Sequence, residues 1–427
     1  MKPFLLSFIV FLGTSVTITY GQFENDLQAY RSTNSLERKT ELGIKLWGSL
    51  IRNELDTLRN IAFELILRGV EEGNDQAVAV GKRSLGTVMI RSGEPDKGIY
   101  FLKEALSYFT EKGDLVISTE TLNEIGNGYL NKGEPVEAEK YYLRSLKIGR
   151  DSPDPTSVFL AEINLGQAYI GMKNFDKASA IIQHYKNEAL KHGKLESVAN
   201  AYALLGTIEQ QRKNIPLAME YFTKSADFGK RSSSIAQQAH ALNNMAIVYF
   251  EKGETDKTLD LFNQALELRR RTGNARYVCE SLYNLAGLYF ELGDDTKAEE
   301  NYLKSLDLAR EKKLRKDQMD AIMGLCELYK KRGQQEKTIG LLEEYIELQD
   351  AYYSQMASDN THTTDLIETV KELENKNRLK KKDIELQHLE RATQMTWYLV
   401  YAIGTLTFLS LVFLYFFRRK GKEITEV

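Results

Sequence analysis

The chain has 427 residues, of which 42% are hydrophobic and 27% charged, a balance that excludes a disordered or low-complexity protein. Its net charge of −3 excludes the global basic field that draws nucleic acid, so no nucleic-acid partner is expected. Two cysteines, Cys279 and Cys326, are too few for a disulfide framework or a zinc site and should serve as small buried apolar residues.

In chain order, the first predicted element is a signal peptide over 1–21. Lys2 precedes the apolar run Phe4–Leu12, and small residues at Thr19 and Gly21 suit cleavage before Gln22. The next segment, 22–70, contains a helical pattern over Ser35–Arg68. It places Leu46, Leu58, Ala62 and Leu65 at positions resembling those of the units that follow, and it reads as a degenerate capping repeat.

From there a period of 40 residues takes over. Gly86, Gly126, Gly166, Gly206, Ala246, Ala286 and Cys326 supply one anchor per unit. Three residues after most anchors stands a tyrosine (Tyr129, Tyr169, Tyr249, Tyr289, Tyr329), while Met89 and Glu209 break the rule. Seven after the anchor, five of the seven units have a glycine (Gly93, Gly133, Gly253, Gly293, Gly333), suited to the left-handed turn that ends a helix. Twelve, sixteen and nineteen after it come small, aromatic and small residues, as in Ala138, Tyr142 and Ser145. This spacing predicts two helices per unit, brought close by the small residues and packed by the aromatic ones. No pair can bury its apolar face alone, so the pairs must stack.

These residues resemble the tetratricopeptide repeat, most closely over Leu242–Arg269 and Ser281–Arg310. The period is longer than the ~34 residues usual in that family and is similar to the longer variety in kinesin light chains. The resemblance implies an all-α superhelical solenoid of about eight helix pairs, with seven 40-residue units over 71–350.

Beyond the array, 351–396 reads as a charged helical linker. A polar break at Ser358–Thr364 separates the last unit from a stalk helix over Leu366–Met395. Leu366 and Leu373, then Leu379, Leu386 and Leu389, hint at the heptads of a weak coiled coil through which a homodimer would form. Residues 397–417 carry no formal charge, end in aromatic residues and are followed by Arg418, Arg419, Lys420 and Lys422. They predict a transmembrane helix, with a cytoplasmic tail over 418–427. The expected location is therefore the inner (cytoplasmic) membrane, single-pass, with the N-terminal domain exported to the periplasm. This order of segments resembles the sensory half of tetratricopeptide receptors from Bacteroidetes-type bacteria, which continue into a histidine kinase or LuxR-type domain that is missing here.

The resemblance also implies a concave face lined by the first helix of each pair, and it is there that a ligand is expected. Residues two or three before each anchor should point inward, and they include Asn123, Asn164, Asn243, Asn244, Tyr283 and Asn284. A row of amides, each both donor and acceptor, suits the backbone of an extended peptide. Phe250 and Phe290 would add selective pockets, and His240 should face the same groove. The competing reading is that the asparagines bond to neighbouring helices and serve packing. Arg83 and Asn123 are the nearest approach to the carboxylate clamp of chaperone-binding members, and the set is incomplete.

The five histidines form no metal-ligand spacing, and no nucleophile elbow, phosphate-binding loop or dinucleotide fingerprint occurs. The sequence thus predicts neither catalytic nor metal residues, no cofactor and no enzyme. It predicts a membrane-anchored periplasmic protein that binds a peptide or protein partner as scaffold or sensor subunit. The alternative is a signal-transduction receptor, histidine kinase-like or LuxR-like, whose output domain is lost or supplied in trans.

Overall fold

The computed structural model describes residues 20–151 and 156–424, and its regular structure is entirely α-helical. Three helices precede the array: α1 (Tyr20–Ser32), α2 (Leu36–Asn53) and α3 (Leu55–Glu72). The array runs through α4 (Asp75–Arg91), α5 (Pro95–Glu111), α6 (Leu115–Asn131), α7 (Pro135–Gly149), α8 (Thr156–Gly171), α9 (Phe175–Lys191) and α10 (Leu195–Gln211). It continues through α11 (Ile215–Arg231), α12 (Ile235–Glu251), α13 (Thr255–Arg271), α14 (Ala275–Glu291), α15 (Asp295–Glu311), α16 (Arg315–Lys331) and α17 (Gln335–Ile424). The signal peptide expected over 1–21 lies outside the described residues, except for Tyr20 and Gly21, which open α1.

The backbone repeats every 20 residues, although the side chains repeat every 40. Between helices the chain turns through one residue with φ from 54° to 84°, usually a glycine such as Gly93, Gly113 or Gly133. Lys173, Lys213, Ser233 and Lys313 take the same left-handed conformation at the equivalent positions. Asn74, Asp114, Asn174, Ser234, Asn274 and Asp294 then cap the following helices, each accepting a backbone N–H of the first turn.

The glycine anchors are small because the second helix packs directly on them, through an aromatic ring at Gly126 and Gly206 and through Leu102 and Ile182 at Gly86 and Gly166. A Cβ on Gly126 would lie 2.4 Å from the ring of Tyr142, and one on Gly206 would lie 2.5 Å from that of Phe222. Tyr142, Phe222 and Tyr302 are fully buried, and truncating a ring of this kind costs about 3–5 kcal/mol. Serine at the nineteenth position ties the two helices of a unit together. Ser145 Oγ donates to the Thr119 carbonyl (3.0 Å), Ser225 Oγ to that of Ala199 (2.8 Å) and Ser305 Oγ to that of Cys279 (3.1 Å). Cys279 and Cys326 are free and buried, and burial pushes the Cys279 thiol up to about 11. Where an aromatic was expected, the buried Glu209 accepts instead from Arg212 (2.9 Å) and Asn214 (3.0 Å).

Two expectations for the C-terminal part are corrected. There is no break at Ser358–Thr364: α17 runs unbroken from the last unit to Ile424, because that polar stretch holds neither glycine nor proline to end it. Among the described residues no helix is long and apolar enough to cross a membrane. The transmembrane helix expected over 397–417, the single-pass inner-membrane location and the separate cytoplasmic tail are corrected accordingly. In their place the stretch forms the closing turns of a helix whose preceding course is densely charged, with Arg418–Ile424 continuing it. Along that course Leu379, Leu386 and Leu389 stand exposed.

Instead of standing off as a stalk, α17 returns to the start of the array. Val370 is only 4% exposed, and with Ile367 and Leu373 it packs on Phe63, Ile66 and Val70 of α3, Leu85 and Met89 of α4, and Phe101 of α5.

Candidate functional site

The expected groove residues do not form one continuous row. In α6, Asn123 is fully buried and neither its Nδ2 nor its Oδ1 has a hydrogen-bond partner. Asn164 is half-buried in α8. Arg83 is no part of a carboxylate clamp: its guanidinium lies 3.8 Å over the Trp47 ring and donates to Glu120 at 2.6 Å.

The structure brings the remaining candidates together on α12 and α14. Asn284 Nδ2 donates to Asn243 Oδ1 at 3.1 Å, bridging two units, while Asn244 is buried one residue along. Phe250, at the C-terminal end of α12, is 41% exposed. Phe290 holds the same register on α14, half-buried under the Lys331 ammonium, which lies 4.8 Å from its ring centroid. Tyr283 packs edge-on against Tyr302 at 5.5 Å. The half-buried His240 packs edge-on against Tyr277 at 5.6 Å, and desolvation, aided by the nearby Arg269 charge, brings its pKa down to about 4.

The bridging amides span a gap in the solenoid. First helices of neighbouring units otherwise lie side by side, from α2 against α4 through α10 against α12, and again α14 against α16. Between α12 and α14 there is no such backbone approach among the described residues. Arg269, which the sequence reading passed over, sits at the junction beside the gap. It stands 23 residues after its anchor, where the other units have Phe109, Gly149, Ala189, Gly229, Ala309 and Gln349. Its guanidinium is buried between α13 and α14 (1% exposed) and donates to the Tyr277 carbonyl (3.2 Å), Ser281 Oγ (2.9 Å) and Glu280 (3.3 Å). At the equivalent place Gly229 lets α11 and α12 meet at their backbones, whereas here a guanidinium lies between the helices. The signal was available as the one charged residue in a column of otherwise uncharged ones.

On the other side of the same junction lies a cleft of about 250 Å³ between α13 and α15, floored by Leu266, Leu282, Leu285 and Tyr289. Among the described residues no group of three or more histidine, cysteine or carboxylate side chains is placed to hold a metal ion.

A family model described as tetratricopeptide repeat matches residues 237–311, and a second of the same description matches 121–156. No curated protein matches the sequence. Among solved structures, aspartyl phosphate phosphatase F from Bacillus subtilis is similar at 14% identity, over 79% of this chain and 96% of that one, with a TM-score of 0.50. BtubC (BKLC) from P. vanneervenii matches at 18% identity over 51% of this chain and 92% of its own, with a TM-score of 0.45. A Rap protein complexed with competence and sporulation factor matches at 15% identity over 78% and 98%, with a TM-score of 0.45. At these identities the likeness is one of fold alone. The segments 121–156 and 237–311 thus match tetratricopeptide repeats, and the units around them repeat the same helix pair.

Proposed function

We propose that this chain is a protein-binding scaffold whose groove face at α12 and α14 holds an extended segment of a partner. The observation that carries the reading is Phe250, a large aromatic side chain left 41% exposed on that face, with Phe290 at the same register one unit on. Between them Asn243 and Asn284 spend one acceptor and one donor on each other, so each amide retains capacity for a peptide backbone. An extended segment offers a donor and an acceptor per residue and alternates its side chains, which suits amides flanked by rings. A sensing role within a larger assembly is favoured by α17, which ties the last unit to the first through Val370. A partner that changed the spacing of α12 and α14 would strain that tie.

The test is site-specific photo-crosslinking with a random peptide library. A crosslinking phenylalanine analogue at position 250 should capture library peptides, and the same analogue at Val136, exposed on α7, should not. Equal capture at the two positions would remove the reading.

A further inference from the structure

The array ends on an uncovered stacking face. Sixteen and twenty residues after an anchor, the second helix presents side chains that the next unit buries: Tyr302 and Leu306 are each 1% exposed in the cluster they share with α16. The last unit places Leu342 and Ile346 at these positions, and α17 runs on to Ile424 in place of a further first helix. Leu342 is therefore 39% exposed and Ile346 54%, and with Ile339 (56%) they form an apolar stripe on α17.

A second exposed stripe lies further along the same helix, at Leu379, Leu386 and Leu389. At 100° per residue, Ile339 and Leu386 fall within about 20° of one another, as do Ile346 and Leu389, so the two stripes share one face of α17. Ile367, Val370 and Leu373, which dock on the array, lie roughly 130° round from that face. Leu373, one of the heptad leucines, is thus taken up by the array and leaves the pairing face to the two stripes.

The stripes are complementary in charge and in spacing. Residues 335–350 hold five carboxylates against Lys337, and residues 376–389 hold five basic side chains against Asp383 and Glu385. Ile339 and Ile346 are seven residues apart, as are Leu379 and Leu386. Laid antiparallel, Ile339 against Leu386 sets Ile346 against Leu379 and Glu343 against Lys382. Neither Glu343 nor Lys382 has an ion-pair partner among the described residues. The two segments lie about 60 Å apart on one unbroken helix, so they can meet only between two molecules.

We propose that α17 pairs antiparallel with α17 of a second copy, each covering the open end of the other's array. Twofold symmetry makes each contact twice and closes the pair. The second copy's helix takes the place that α16 takes over Tyr302 and Leu306, and it runs antiparallel to its neighbour, as short turns impose on consecutive helices of the array.

Sedimentation velocity of the full chain at low salt tests this, and a dimer is expected. Ile346→Asp and Leu386→Asp, both at exposed positions, should each leave a monomer with an unchanged helical spectrum. Glu343→Lys and Lys382→Glu should each weaken association about tenfold, and combining them should restore it. Glu343→Cys combined with Lys382→Cys should give a disulfide-linked dimer on oxidation, and Glu343→Cys alone should not. Phe250→Ala should leave association unchanged, which keeps this test independent of the groove. A monomer at every concentration, a dimer indifferent to Ile346→Asp, or a charge-swapped double variant no stronger than either single one would overturn the proposal. Cross-linking through Glu343→Cys alone would overturn it in favour of a parallel pair.

Discussion

Two junctions between neighbouring units differ by one residue in the same register. At the junction of α11 with α12, Gly229 brings the helices so close that a Cβ would lie 2.9 Å from the Gln238 backbone nitrogen. One unit later, at the junction of α13 with α14, Arg269 places a whole guanidinium where Gly229 has no side chain. The first junction is packed by backbone contact. The second is held by polar side chains: Arg269 on Tyr277, Ser281 and Glu280, and Asn284 on Asn243. The difference shows that a solenoid can change its local spacing without changing its framework, since Phe262 and Tyr302 sit in their usual buried places on both sides of the gap. It also places polar side chains where the other junction has backbone contact.

The most direct way to break this comparison is to put arginine at the tight junction. Gly229→Arg should cost about 3 kcal/mol or more, because the side chain meets backbone and its charge finds no prepared partners. Urea denaturation followed by helical circular dichroism would show it, and a loss below about 1 kcal/mol would mean that the tight junction yields as easily as the open one. A smaller effect is expected from pH. His240 lies beside Arg269, Tyr277 and Glu280, and burial holds its folded pKa down at about 4. The unfolded chain, with an ordinary histidine, binds more protons below pH ~6.5. The contribution of His240 is therefore fully present above that pH and is lost as pH falls toward 4. Between pH 7.5 and 5.0 the chain should lose about 2 kcal/mol of stability that His240→Gln does not lose. Parallel curves for the two proteins would place His240 in water.

Much of the framework was legible in the sequence because its constraints are steric and local. A glycine on which a large side chain must pack, as Gly126 on Tyr142 and Gly166 on Ile182, recurs at a fixed interval, and so does the turn after it. The shorter backbone period was missed, although Gly113, Gly193 and Gly273 mark it. The C-terminal helix was misread for a different reason. A polar run without glycine or proline does not end a helix whose neighbours continue it, and an apolar stretch in sequence says nothing about the helix it joins. Nor does the pattern around Val370 say which surface it will meet, since docking depends on the superhelical path of eight helix pairs. In the candidate site, the residue types that matter were visible but their pairing was not. Asparagine two or three before an anchor is compatible with a ligand and with a neighbouring helix, and the structure shows Asn243 and Asn284 joined while Asn123 is sealed without a partner.

That pairing gives the finest test of the comparison. If the amide bridge replaces backbone contact at the open junction, Asn243 and Asn284 must be energetically coupled. A double-mutant cycle of Asn243→Ala and Asn284→Ala should return a coupling of about 1 kcal/mol, the usual net worth of one intramolecular hydrogen bond. The same cycle with Asn244→Ala in place of Asn243→Ala should return about zero, because the bridge is made to Asn243. Each single variant removes a side chain without inserting one, so neither creates a clash to confuse the cycle. Coupling of similar size in both cycles would mean that the asparagines act through the general packing of α12 and α14, and the bridge would lose its special place. Coupling confined to Asn243 and Asn284 would make the pair the tie that fixes how far the junction opens, and so the width of both the groove on one side and the cleft on the other.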